Sequence, residues 1–267
     1  MNLKFEIKGS KLEDFTNKLE DLTKISDEIK LKIDKNNILI YSLVGETAIV
    51  AFKNYILLTD EYLKIDDNDN IFDNDNDNDN ENEFDFIITN SKKFCKKLKF
   101  FNIEDKILCE MKIVKKSDKN YGRSLNIHDS RFNITQIGGE PYSIRDVDKD
   151  KLRTLLSEDN INWQFRISES NFNDVKKLSK IDADDKIINI SSSDGSIKFG
   201  ETGKWELDVA DAKEKHKDIA FPKKYLSSIN NTSDIISFYV YETFILWKEE
   251  NVNFMCSFEQ TFEEDED

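Results

Sequence analysis

The sequence predicts a mixed α+β chain made of two similar halves, each holding two strand–helix–strands units. Three observations point there. Asn2-Leu3-Lys4-Phe5-Glu6-Ile7, followed by Ser10 and Asp14, returns at one constant offset as Asn162-Trp163-Gln164-Phe165-Arg166-Ile167, followed by Ser170 and Asp174. Lys92-Lys93-Phe94 with Leu98 returns at a second constant offset as Lys223-Lys224-Tyr225 with Ile229. Apolar residues recur at helical spacing in four short stretches, and most of the remaining chain alternates apolar with polar residues as strands do.

The first strand, with Leu3, Phe5 and Ile7 on one face, leads to Ser10, a residue type that caps helices. A helix over 10–24 then places Leu12, Phe15, Leu19 and Leu22 on one side. Strands follow over 28–34, 37–44, 47–53 and 56–65. The second helix, 91–101, aligns Phe94, Leu98 and Phe101, and strands follow over 106–114, 121–127 and 132–137. Ser170 opens a third helix to Ile181 with Phe172, Val175, Leu178 and Ile181 on its apolar face. Strands over 186–191, 196–200 and 204–209 come next, with Asp194-Gly195 as a hairpin turn. Pro222 suits the first position of a fourth helix, 222–230, which uses Tyr225, Leu226 and Ile229. Strands over 234–240, 243–248 and 252–258 close the chain.

Pairing the first unit with the third, and the second with the fourth, gives a first domain over 1–140 and a second over 161–260. A connector over 141–160 carries Val147, Leu152, Leu155 and Leu156, and 261–267 is an acidic tail. With 267 residues there is room for two cores. The unpaired spacing of Cys95, Cys109 and Cys256, in apolar company, predicts reduced core residues of a cytoplasmic protein. No apolar run approaches the ~20 residues that span a bilayer, so no membrane partner is expected.

Net charge is −15, and its distribution says more than its total. Residues 66–82 are almost wholly Asp and Asn, which predicts a solvated, disordered loop. By contrast Lys92, Lys93, Lys96, Lys97 and Lys99 fall on or beside the second helix with no acid among them, opposite its apolar face. Lys176, Lys177 and Lys180 repeat this on the third helix, and Lys223 and Lys224 begin the fourth. A lysine face is what any solvated helix presents. Three of them in an acidic chain point instead to phosphate, which ammonium groups bind without reading sequence. No aromatic residues interleave with these lysines, so base stacking is not indicated.

Other motifs fall short of a site. Asp73-Asn74-Asp75-Asn76-Asp77 begins like a calcium loop, but Asn78 stands where its Gly belongs and Phe84 where its Glu belongs. Gly200-Glu201-Thr202-Gly203-Lys204 has Lys198 in place of the first Gly of a phosphate loop and reads as a strand connection. His128 and His216 have no Ser or Cys partner in sequence, and no metal spacing or cofactor fingerprint occurs, so neither enzyme activity nor a cofactor is expected.

The duplicated Asn-x-x-Phe-x-Ile strands, the Lys-Lys-aromatic starts, the four units and the acidic tail resemble the sliding-clamp family of DNA polymerase processivity factors. The resemblance implies two clamp domains with helices inside a β-sheet wall, a homotrimeric ring, and passage of double-stranded DNA through it. It also implies DNA polymerase and a clamp loader as partners. On the same analogy a client peptide binds near the connector and the C-terminal strand, for which Val147, Leu155, Leu156 and Phe262 are the candidates. The first helix departs from a DNA-facing pattern, mixing Lys11, Lys18 and Lys24 with Glu13, Asp14, Glu20 and Asp21. An acidic, β-rich structural or virion protein with no DNA role is the competing expectation.

Overall fold

A computed structural model of the chain describes residues 2–46, 49–65, 83–102, 104, 106–116, 119–147, 154, 156–181, 185–193, 195–201, 204–211, 216–230, 233–249 and 251–260. The chain divides into two compact units, the first comprising Met1–Leu43 and Lys53–Asp146, the second Val44–Phe52 and Val147–Asp267.

From the first unit's start, β1 (Asn2–Ile7) leads into α1 (Gly9–Leu22), followed by β2 (Ile29–Ile33), β3 (Asn37–Glu46) and β4 (Ile49–Leu58), the end of β3 and the start of β4 being counted with the second unit. A single turn α2 (Thr59–Tyr62), β5 (Leu63–Ile65), β6 (Phe84–Ile88) and α3 (Ser91–Leu98) come next. The unit closes with β7 (Ile107–Lys116), β8 (Lys119–His128) and β9 (Asn133–Ile137). The strands hydrogen-bond in the order β3-β2-β6-β8-β7-β1-β5, with β9 also on β8. Leu3, Phe5 and Ile7 of β1 are buried, as the alternation predicts. They share one core with Leu12, Phe15, Leu19 and Leu22 of α1 and with Phe94 and Leu98 of α3. Each such side chain contributes about 1.5–3 kcal/mol by leaving water, which fixes both helices on the same face of the sheet.

Beyond β9 the chain stays on this unit. Gly138 N–H donates to the Arg123 carbonyl and Gly139 N–H to that of Ile87, both at 2.9 Å. A Cβ on Gly138 would run into the backbone oxygen of Gly122, and one on Gly139 would sit 2.8 Å from Thr89 Cγ2. The two glycines are needed for this close backbone approach. Ile144 is buried, and the Tyr41 hydroxyl donates to the Arg145 carbonyl at 3.3 Å.

The second unit repeats the opening. In it β10 (Trp163–Ser168) leads into α4 (Glu169–Leu178), β11 (Ile187–Ser193), β12 (Ser196–Glu201), β13 (Trp205–Asp211) and β14 (His216–Pro222). A 3-10 turn, Lys223–Ser228, precedes β15 (Ile235–Val240), β16 (Phe244–Glu249), β17 (Val252–Ser257) and β18 (Glu259–Gln260). Strands β10-β15-β16-β17 run in that order, and β13-β12-β11-β14-β18 form a separate five-stranded sheet. Gly195, at φ +83°, turns the β11–β12 hairpin where Asp194-Gly195 predicts it.

Several sequence expectations need correction. Neither Ser10 nor Ser170 caps its helix: α1 has Lys8 at that position with no side-chain bond, and α4 is capped by Ser168, whose Oγ accepts from Asn171 N–H. The predicted break between 53 and 56 is absent because β4 runs through it, and the interruption comes at α2 instead. The fourth helix is a six-residue 3-10 turn. Tyr225 with Ser228, and Leu226 with Ile229, are buried at a spacing of three, the period of that tighter helix. Ile181 lies past the end of α4 and is 73% exposed, so it is no part of the apolar face. The acidic stretch 66–82 with its Asp73 motif lies outside the described residues.

Candidate nucleic-acid interface

The lysine-bearing segments differ sharply in how their ammonium groups are held. In α3, Phe94, Cys95 and Leu98 face the core while Lys92, Lys93 and Lys96 are exposed and Lys97 is half-buried. Among the described residues none of these four lysines has an ion pair. The helix begins from Asn90, which adopts the left-handed conformation (φ 55°) that Asn tolerates better than most residues and makes no side-chain cap bond. Its first-turn donors go elsewhere. Ser91 N–H donates to the Asp27 carbonyl at 3.0 Å and Lys93 N–H to that of Asn90 at 3.0 Å. The Asp27 carboxylate accepts from Lys92 N–H at 3.1 Å and from the Ser91 hydroxyl at 3.2 Å. Lys99, just beyond the helix, pairs with Glu20 of α1 at 2.6 Å.

Lys11 and Lys18 of α1, and Lys24 just past its end, are all engaged with acids. Lys11 reaches Glu61 at 3.4 Å, Lys18 pairs with Asp14, and Lys24 pairs with Asp21 at 2.8 Å. The acids of α1 in turn hold α2 and β4. Asp14 accepts from the Tyr62 hydroxyl and Asp21 from that of Tyr55, one pair two turns beyond the other. This agrees with the mixed charge pattern that sets α1 apart in the sequence.

In the second unit the predicted lysines divide again. Lys176 donates to the Ile229 carbonyl at 2.5 Å and lies 4.7 Å from the centre of the Phe172 ring, so it ties α4 to the end of the 3-10 turn. Lys177 pairs with Asp174 at 2.8 Å on an open surface, an interaction of little energy. Lys180 is exposed and has no ion pair among the described residues. Lys223 binds Glu201 at 2.5 Å, and that carboxylate is wholly buried. Lys224 is exposed, its ammonium 4.8 Å from the centre of the Tyr225 ring.

Sequence reasoning treats Lys176 and Lys223 as equals of Lys92. What separates them, a carbonyl and a carboxylate brought by other segments, leaves no mark in local spacing. Asp27 was missed for the same reason, lying far from α3 in sequence. Of the candidate peptide-binding residues, Val147 and Leu156 are half-buried. Leu156 packs against a cluster of Tyr241, Phe244 and Leu246, and its carbonyl accepts from the Tyr241 hydroxyl at 3.3 Å. Leu155 and Phe262 lie outside the described residues.

The described residues contain no group of three His, Cys, Asp or Glu able to hold a metal ion, and no helix long and apolar enough to cross a membrane. What α3 presents is a row of cations on a core-anchored helix, suited to phosphate oxygens.

No protein-family model matches the chain, and no curated protein matches it in sequence. Solved structures do match in three dimensions. A DNA polymerase sliding clamp from Bacillus subtilis is 11% identical at a TM-score of 0.63, the match covering 99% of this chain and 67% of that one. PCNA from Thermococcus kodakaraensis is 14% identical at 0.60, covering 96% of this chain and 100% of that one. A chain in the structure of the C-terminal region of FEN-1 bound to A. fulgidus PCNA matches at 0.58 and 9% identity, covering 98% of this chain and 100% of that one. The chain spans about two thirds of the length of the bacterial polymerase III β chains, and the full length of these PCNA chains. At such low identity the agreement is one of architecture: this chain has the α+β fold of the two-domain sliding clamps.

Proposed function

We propose that this chain is a DNA polymerase processivity factor, a sliding clamp that closes as a homotrimeric ring around double-stranded DNA and catalyses no reaction itself. The observation that carries this reading is the row Lys92, Lys93, Lys96 and Lys97, solvent-facing on α3 and without acid partners among the described residues, in a chain of net charge −15 with the clamp fold. A ring that slides needs weak attraction to phosphate without register, which suits lysines better than bidentate arginines. Acidic surface elsewhere discourages DNA from binding outside the ring. Lys180 and Lys224 join α3 in this role, with Lys99 and Lys177 contributing through their loose surface pairs. Lys176 and Lys223, held by the Ile229 carbonyl and by Glu201, steady α4 and the 3-10 turn that carry the other lysines of the second unit.

Two strand edges support assembly. Strand β13 ends the five-stranded sheet, and among the described residues β9 forms a ladder with β8 alone. An edge of one copy pairing with the other edge of the next gives a head-to-tail contact that closes into a ring. The helix face that touches DNA then leaves the outside for a clamp loader, DNA polymerase and other clients in the cytoplasm. FEN-1's C-terminal region on an archaeal clamp supports client peptides binding here too, with Val147, Leu155, Leu156 and Phe262 as candidates. An acidic structural protein has no need of exposed lysines aligned on a core-anchored helix.

The test is the variant with Lys92, Lys93, Lys96 and Lys97 all replaced by Ala. Native mass is expected to remain three times the 31.3 kDa of one chain, while clamp-dependent synthesis on primed templates loses processivity. Unchanged product length, or a native mass of one chain, overturns the proposal.

A further inference from the structure

We infer that Asp27 is a positioning residue for the lysine helix, and that removing this acid weakens DNA binding although the charge it removes is negative. The inference rests on α3 being a DNA-facing element. An α-helix starts with backbone N–H groups that have no partner of their own, and a side-chain oxygen usually takes one or two of them. In α3 the residue at the cap position, Asn90, offers no side-chain bond. Asp27, distant in sequence, fills the vacancy twice: its carbonyl takes Ser91 N–H at 3.0 Å and its carboxylate takes Lys92 N–H at 3.1 Å. A third bond, from the Ser91 hydroxyl at 3.2 Å, orients the carboxylate.

The residues whose backbone is held this way are those that begin the cation row. Lys92 is bonded directly, and Lys93 follows in the same turn. The helix is only eight residues long, so a frayed first turn removes a large part of it. Asp27 is itself exposed and its side chain meets only this helix end in the bonds described, which separates its role from core packing.

Two substitutions both remove the charge and differ in the bond. Asp27→Asn keeps an oxygen able to accept from Lys92 N–H, whereas Asp27→Ala does not. Binding of a short blunt-ended DNA duplex is measured by fluorescence anisotropy over a series of salt concentrations, with native mass recorded for each variant. For Asp27→Ala the affinity is expected to fall by up to about fivefold, the factor that corresponds to the ~1 kcal/mol of one cap. The slope of log affinity against log salt is expected to become shallower by about one to two, the phosphate contacts forfeited. Asp27→Asn is expected to bind as the natural chain does or slightly more tightly, and both variants keep the trimer mass. Amide hydrogen exchange at Lys92 reads the cap directly, faster in Asp27→Ala and unchanged in Asp27→Asn.

Binding by Asp27→Ala equal to or tighter than that of the natural chain overturns the inference, because charge alone would then decide. Asp27→Asn as weak as Asp27→Ala overturns it too. If Asp27→Ala does not assemble, Asp27→Asn with accelerated exchange at Lys92 and undiminished binding overturns it. The Lys92, Lys93, Lys96 and Lys97 Ala variant is run alongside. Its failure to weaken binding removes the DNA-facing reading of α3, whereas its success with an unaffected Asp27→Ala removes only the role of Asp27.

Discussion

The Lys119 ammonium donates to one oxygen of the Asp146 carboxylate at 2.5 Å while Lys30, buried on β2, reaches the other. Lys32 lies 3.9 Å from the same group, so three cations converge where residues 138–146 come to rest on the first unit. Partial burial alone would raise the Asp146 carboxyl, but the bonds from Lys119 and Lys30 outweigh it and bring the pKa down to about 2. Its neighbour Asp85 goes the other way, raised by burial in spite of Lys32 and Lys30.

For Asp146 the folded value lies below the ordinary 3.8, so its contribution to stability is complete above that pH and lost as pH falls toward about 2. Asp146→Asn lacks it at every pH. Denaturant midpoints of the two proteins are expected to differ most near neutrality and to converge through the acid range. A constant gap down to the lowest pH would show that Asp146 does not act through its charge.

Lys53 is fully buried and pairs with Asp21, whose carboxyl is lowered because Lys53, Lys24 and Tyr55 overcome the effect of burial. Deleting one partner of a buried pair costs far more than the pair is worth against an apolar substitute. Asp21→Ala is expected to lose about 3–5 kcal/mol by urea unfolding, whereas the joint change of Asp21 to Leu and Lys53 to Met loses less than Asp21→Ala alone. Equal losses would mean that the two side chains do not act as a pair.

Gly138→Ala places a methyl group against the backbone oxygen of Gly122, and neither strand can yield without breaking the Gly138 bond to Arg123. A loss of about 1–3 kcal/mol is expected, the cost of overpacking a tight site. Gly45→Ala is the control, because a Cβ there meets nothing within 4 Å. Thermal melting of the two variants distinguishes them.

Lys223 and Lys224 are neighbours with opposite expected phenotypes. Lys223→Ala strips the wholly buried Glu201 of its nearest cation and is expected to cost about 3–5 kcal/mol of stability. Lys224→Ala, on an exposed side chain, is expected to cost less than about 1 kcal/mol and to reduce the salt slope of DNA binding by about one. Paired unfolding and anisotropy measurements check both.

All three cysteines are buried, and burial pushes the thiols of Cys95 and Cys256 up to about 12 and that of Cys109 higher still. A thiol reagent at pH 8 is therefore expected to label none of them in the native protein and all three in denaturant. Rapid labelling of one site without denaturant would mark a local opening there.

Much of this molecule is legible in the chain because the physics involved is local. The alternation of Leu3, Phe5 and Ile7, and the spacing of Leu12, Phe15, Leu19 and Leu22, state which face must leave water whatever lies opposite. The same periods place most of the strands to within a residue or two, but β6 (Phe84–Ile88) and β14 (His216–Pro222) are not among those they predict. Boundaries set by distant groups are not written that way. Ser168 rather than Ser170 caps α4, and a six-residue turn with buried residues three apart winds as 3-10.

The lysines divide along the same line. That Lys92, Lys93, Lys96 and Lys97 share a helix face follows from their spacing, which the sequence alone determines. That Lys176 is spent on Ile229 and Lys223 on Glu201, and that Asp27 begins α3, was decided only when the tertiary structure brought far segments within hydrogen-bonding reach. An ammonium group carries the same charge in every context; whether it is available to a phosphate depends on which oxygen folding has already set beside it.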